Sequence, residues 1–154
     1  MTQYFLDSSA LIKRYIVELG TTWVRSLTTR SSGNTVIIAQ ITQIEIVSGA
    51  ARRVREGTLT TRTAWAVRLL IDRHARREYV VLGLTQQVVR RAEDLLTVHP
   101  LRTYDVVQLA SALESNTRLV AAGWPPLRLV SADARLLVAA ATEGLMTEDP
   151  QAHP

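Results

Sequence analysis

The stretch Tyr4-Phe5-Leu6-Asp7-Ser8-Ser9 decides the fold: an apolar run stops abruptly at a carboxylate and two hydroxyls. A continuous apolar run, without polar alternation, is the pattern of a strand covered on both faces, as in the middle of a parallel sheet. Ligands of such sheets lie just beyond the carboxyl ends of the strands, which is where Asp7 falls. A helix expected over about Ala10–Tyr15 then starts behind Ser8 or Ser9, either of which can cap its free amides. Asp7 is therefore a fixed, inward-looking acid, and its chemistry depends on which other acids join it.

Working outward, Val36-Ile37-Ile38-Ala39, Tyr79-Val80-Val81-Leu82 and Leu127-Arg128-Leu129-Val130 read as further short strands, with Leu145-Met146 as a last edge strand. Helical patterns fall between them. Thr21 or Thr22 caps a helix that turns Trp23, Val24 and Leu27 to the core, and Thr42 caps one whose core face is Ile44, Val47, Ala51 and Val54, with Glu45 in its first turn. Glu56-Gly57 divides a basic region, Ala51 to Arg77, into two helices. Thr85 caps the next helix, and Thr103-Tyr104-Asp105 opens a strongly apolar one. Ser131-Ala132-Asp133 leads into a helix from Ala134 to about Ala141. Alternation at this spacing predicts one doubly wound α/β domain over residues 1–148, with a mostly parallel sheet of four to five strands and a disordered tail over 149–154.

The chain has 154 residues, no cysteine, and 18 Lys+Arg against 14 Asp+Glu, a net charge of +4. Disulfides and thiolate metal sites are excluded. Apolar runs too short for a membrane span, and an N-terminus unlike a signal peptide, make a cytoplasmic protein the expectation. With four acids gathered in one site, 18 bases against the 10 remaining acids leave the rest of the surface at +8. That favours a polyanionic partner. All the bases but Lys13 are arginine, the side chain suited to bidentate phosphate contacts.

Asp7 and Asp133 follow strands, whereas Glu45 and Asp105 open helices. In a right-handed parallel topology these junctions share one rim of the sheet, so the four acids converge. Two charges about 4 Å apart repel by roughly 4 kcal/mol at an effective dielectric near 20, and four of them call for a cation. Hard oxygen donors without cysteine or clustered histidine select Mg²⁺ or Mn²⁺. Such an ion acidifies a water and neutralises a phosphodiester under attack, so an acidic pit in a basic surface points to a nuclease.

Each acid also has a structural reading: Asp7 as a turn residue, Glu45 as a first-turn acid, Asp105 as a favourable helix N-terminal charge, Asp133 as an N-cap. A phosphoryl-accepting aspartate would want a second acid two positions after Asp7, where Ser9 stands, and a receiver domain would want a late lysine, which is lacking. Ser8 and Ser9 lie in no nucleophile elbow. His74, His99 and His153 have no metal or triad spacing and read as packing or surface residues.

Leu6-Asp7-Ser8-Ser9-Ala10-Leu11, Thr42 to Gly49 with Glu45, Tyr104 to Ala110 with Asp105, and Val130-Ser131-Ala132-Asp133 together resemble the PIN-domain family, and within it the VapC-type toxins of bacterial toxin–antitoxin pairs. The likeness runs from about Gln3 to Met146. It implies a three-layer α/β/α fold and a Mg²⁺- or Mn²⁺-dependent endoribonuclease whose acidic site is Asp7, Glu45, Asp105 and Asp133. Ser9 and Ser131 would support those acids. A homodimer and a small inhibitory antitoxin partner are implied as well, the basic helical hairpin matching where such proteins bind partner and RNA. Arg52, seven residues after Glu45 and near the same side of its helix, is expected to contact substrate phosphate, the competing reading being a pair with Glu56. A housekeeping RNA-processing nuclease and a non-catalytic RNA- or protein-binding module remain the alternatives.

Overall fold

The computed structural model describes residues 1–153. Five strands, β1 (Gln3–Leu6), β2 (Thr35–Ala39), β3 (Tyr79–Leu82), β4 (Arg128–Val130) and β5 (Met146–Glu148), form one sheet in the order β3-β2-β1-β4-β5. Every neighbouring pair is parallel. The chain winds outward from β1 through β2 to β3, then crosses back to lay β4 on the other side of β1. Strand order therefore reverses between β1 and β4, and the crevice at the carboxyl ends of such a reversal is where these sheets hold ligands.

Seven α-helices cover the sheet: α1 (Ser8–Leu11), α2 (Thr21–Thr28), α3 (Gln40–Arg55), α4 (Thr61–Arg77), α5 (Gln86–Leu96), α6 (Thr103–Ala121) and α7 (Ala134–Thr142). The pleat sorts the apolar strand residues into two cores. Phe5, Ile37, Ala39 and Leu129 meet Val88, Leu95, Leu109 and Leu136 of α5, α6 and α7. Their neighbours Leu6, Val36, Ile38 and Val130 meet Leu11, Val24, Ile46 and Ile71 of α1 to α4. Burial on both faces is why these strands read as unbroken apolar runs. The result is the three-layer α/β/α arrangement, and among the described residues no helix is long and apolar enough to cross a membrane.

Several local expectations need correction. The cap of α1 is Asp7 itself, whose carboxylate accepts the Ala10 amide, and the helix tightens after Leu11 into a 3₁₀ turn, Ile12–Arg14. The residue before α2 is Gly20 at φ 87°, without a side-chain cap. Helix α3 starts at Gln40 directly off β2, so Thr42 is no cap but a wholly buried residue of the first turn. The sheet-facing side of α3 is Thr42, Ile46 and Ala50, while Ile44 is 66% exposed. The apolar stripe Val47, Ala51 and Val54 instead lines the groove against Ala64 and Trp65 of α4. Helix–helix packing had produced the periodicity that reads as a core face.

The end of the chain also differs from a disordered tail. Asp149 caps a 3₁₀ turn, Pro150–Ala152, whose Pro150 is buried, and the His153 ring stacks on Trp23 at 4.2 Å. At Gly20 a Cβ would stand 2.3 Å from the Pro150 carbonyl oxygen, so only glycine admits this contact. The last residue of the predicted tail, Pro154, lies outside the described residues. Lys13 is buried, its ammonium 2.9 Å from Glu18, which also accepts a hydrogen bond from Arg53.

Candidate active site

Asp7 is 3% exposed at the end of the central strand. Its amide donates to the Val130 carbonyl across 3.1 Å, which extends the β1–β4 ladder and sets the carboxylate beside the turn after β4. Three donors hold it: the Ala10 amide at 2.9 Å, the Ser9 hydroxyl at 2.8 and 2.9 Å to its two oxygens, and the Ser131 hydroxyl at 2.7 Å. Backbone amides orient those hydroxyls. Ala132 donates to Ser9 Oγ at 2.8 Å and Asp133 to Ser131 Oγ at 3.0 Å, which leaves both serine protons for the carboxylate. Even so, burial pushes the Asp7 pKa from 3.8 up to about 7, the Ser131, Ala10 and Ser9 bonds opposing it and the charge of Glu45 adding to it.

Glu45 reaches the same rim from the second turn of α3. The fully buried Gln108 of α6 donates to its Oε2 at 2.7 Å and, through the same nitrogen, to Thr42 Oγ1 at 2.9 Å. Burial raises the Glu45 pKa against the Gln108 and Ser8 hydrogen bonds, and the Asp105 charge raises it further. Asp105, one turn before Gln108, is raised first by burial and then by Asp133, with Arg102 pulling the other way. Asp133 caps α7, accepting the Arg135 amide at 2.8 Å and the Leu136 amide at 3.2 Å. The four acids thus form a row in which each feels its neighbour: Asp7 to Glu45, Glu45 to Asp105, Asp105 to Asp133.

An open cleft of about 510 Å³ lies at the Asp105–Asp133 end of this row, lined by Ser9, Asp105 and Asp133 with Arg102 and Arg135 at its walls. Among the described residues, no three acidic, histidine or cysteine side chains stand close enough to make a ready metal cage. The donors nonetheless fit a hard divalent cation. Mg²⁺ keeps several waters and takes one or two carboxylates rather than a full protein shell, which suits acids spaced as a row of pairs.

Ser9 and Ser131, which the family resemblance implies as support for the acids, both bond Asp7. Arg52 does not join them: it is exposed, with its Nε 4.0 Å from Glu56, the i,i+4 partner. Gln108 and Thr42 were not foreseen. The available signal was a glutamine in the middle of an otherwise apolar helix, since a buried amide must have partners. The histidines pack, as read: His74 stacks on Tyr15, His99 bonds Glu143 at 2.7 Å, and His153 covers Trp23.

A family model described as PIN domain matches residues 4–140. Among curated proteins, none matches the sequence. Solved structures share the fold over almost all of the chain. FitAcB from Neisseria gonorrhoeae superposes with a TM-score of 0.67 at 14% identity, covering 96% of this chain and 97% of that one. VapBC2 from Rickettsia felis, bound to a DNA fragment from its promoter, gives 0.64 at 12% identity over 96% and 98%. VapC20 from Mycobacterium tuberculosis, described as a sarcin-ricin-loop-cleaving toxin, gives 0.61 at 15% identity over 93% and 96%. At such identities the likeness establishes the fold.

Proposed function

The chain belongs to the PIN-domain family, and from that premise we propose that it is a metal-dependent endoribonuclease, the toxin of a toxin–antitoxin pair. The observation that carries this reading is Asp7: a carboxyl buried beside Glu45, with its pKa pushed to about 7, held in place by three donors at the strand-order reversal. Retaining it costs stability, and a cation relieves that cost. The family is one of nucleases, and the fold neighbours of this chain include a toxin–antitoxin complex from Klebsiella pneumoniae and a toxin described as cleaving the sarcin-ricin loop.

Asp7, Glu45, Asp105 and Asp133 would hold Mg²⁺, with Mn²⁺ able to substitute. The bound ion supplies an acidified water and neutralises charge on the phosphodiester. Ser9 and Ser131 keep the Asp7 carboxylate from turning away, and Gln108 keeps Glu45 against the rim. Arg102 and Arg135, exposed beside Asp105 and Asp133, bind the flanking phosphates. The substrate is RNA, the controlling partner a small antitoxin, and the working form a homodimer.

Purified protein incubated with total cellular RNA is expected to cut in Mg²⁺ or Mn²⁺ and to stop in EDTA. Failure of well-folded, antitoxin-free protein to cut under any of these conditions would leave a binding module. Gln108→Leu, which strips Glu45 of its amide donor, is expected to lower the cleavage rate about tenfold while costing the fold only about 1–2 kcal/mol. Saturation of that loss by higher metal concentration would show that Gln108 acts through the metal site. Arg52 is proposed to meet a substrate phosphate at the rim of the groove. Arg52→Ala should weaken RNA binding a few-fold and reduce the slope of log affinity against log salt by about 1; an unchanged slope would leave Arg52 to its pairing with Glu56.

A further inference from the structure

Beside the acidic cleft lies a second, smaller one of about 310 Å³ with almost wholly apolar walls. Leu101, between α5 and α6, faces Ala134, Val138 and Ala139 of α7 across it, and Pro100, Ala134 and Arg135 line both clefts. The two are therefore one continuous depression, acidic at one end and apolar at the other, with Arg135 where they meet. His99 forms part of the apolar wall, its ring held by Glu143 at 2.7 Å. Val138 stands 68% exposed at the edge of the slot.

Resting on the nuclease reading, we propose that this slot holds an unstacked nucleobase of the nucleotide next to the cleaved phosphodiester. The repeat of a single-stranded RNA is a charged phosphate and, one sugar away, a flat and largely apolar base. The depression offers that same sequence of environments: carboxylates for a cation that meets the phosphate, arginines for the neighbouring charges, and an apolar recess one step along. Its volume sits at the small end of ligand-sized pockets, right for one base and too small for a helix. Single-stranded RNA is read in this way, by splaying bases out of the stack into enclosing surfaces. Base choice at one position near the cut is then set by Leu101, Val138 and Ala139.

The test uses wild-type protein and a set of single-stranded oligoribonucleotides spanning a mapped cut site, each with one abasic residue. At one position adjacent to the cut, removing the base should lower kcat/KM about tenfold, the scale of leaving the apolar wall of the slot uncovered, with other positions nearly unaffected. Val138→Asp, a change at an exposed residue outside the acidic row, should lower kcat/KM on the intact strand to a similar extent and leave the rate on that abasic strand unchanged. Equal rates on all abasic strands overturn the slot and leave the nuclease reading standing, whereas no cleavage of any RNA overturns both. If Val138→Asp alters only the oligomeric state by light scattering, or only inhibition by a protein partner, with base dependence intact, the slot is a protein interface and the proposal is wrong.

Discussion

Asp7→Asn is expected to abolish RNA cleavage, by about a thousandfold or more, while making the metal-free protein more stable. The sign follows from the direction of the pKa change. A carboxyl at 3.8 when unfolded and about 7 when folded contributes most to stability below pH 4, and that contribution is lost as pH rises through 7. Near pH 8 ionised Asp7 costs the fold up to about 4 kcal/mol, and at pH 5 less than half of that. Asparagine keeps the shape and an acceptor for the Ala10 amide without the charge. Urea melts in EDTA at pH 5 and pH 8 should therefore show a gain for the variant that grows with pH. Equal loss of stability at both values would mean that the amide disrupts the Ser9 and Ser131 bonds, and that charge is not what strains the site.

A second large effect lies away from the rim. Lys13 is 3% exposed and depends on Glu18, whose carboxylate is held below its usual pKa: burial raises it, but the hydrogen bonds from Arg53 and Lys13 outweigh that. Removing one partner of a buried pair leaves an uncompensated charge, typically at about 3–5 kcal/mol. Glu18→Ala should accordingly lower Tm by roughly 10 °C for a chain of this size. Lys13→Met is the control. It fills the same space with an apolar side chain and leaves Glu18 with Arg53, so its melting point should stay within a few degrees of wild type or rise. A large fall for both would place the energy in packing rather than in charge.

Much of the architecture was legible because parallel strands advertise themselves. Phe5-Leu6, Val36 to Ala39 and Leu129-Val130 are apolar at every position since both faces are covered, and the acids that end or follow them fall at the rim by topology. Helix faces were less readable. Val47, Ala51 and Val54 recur at helical spacing, yet the surface they face is α4, and the sheet is met by Thr42 and Ile46. Thr42 looked like a cap because threonine usually is one near a helix start. Its hydroxyl is instead spent on Gln108, a partner 66 residues away that local pattern does not reveal. Burial of Lys13 was hidden for a related reason: a lone lysine near an arginine reads as surface until the fold brings Glu18 over it. The packing of Asp149 to His153 depends on Gly20 and Trp23, again remote in sequence.

The carboxylate at the heart of the rim and one of the hydroxyls that bonds it are separated by 124 positions. During synthesis the amino-terminal acid leaves the ribosome early, and its companion emerges only after almost every helix is complete. A nascent chain thus carries no assembled rim until Ser131 has been made, and a polypeptide released before that point lacks a hydroxyl that holds Asp7. On the proposed ribonuclease reading, a site closed by residues 124 positions apart delays activity until residue 131 has been made.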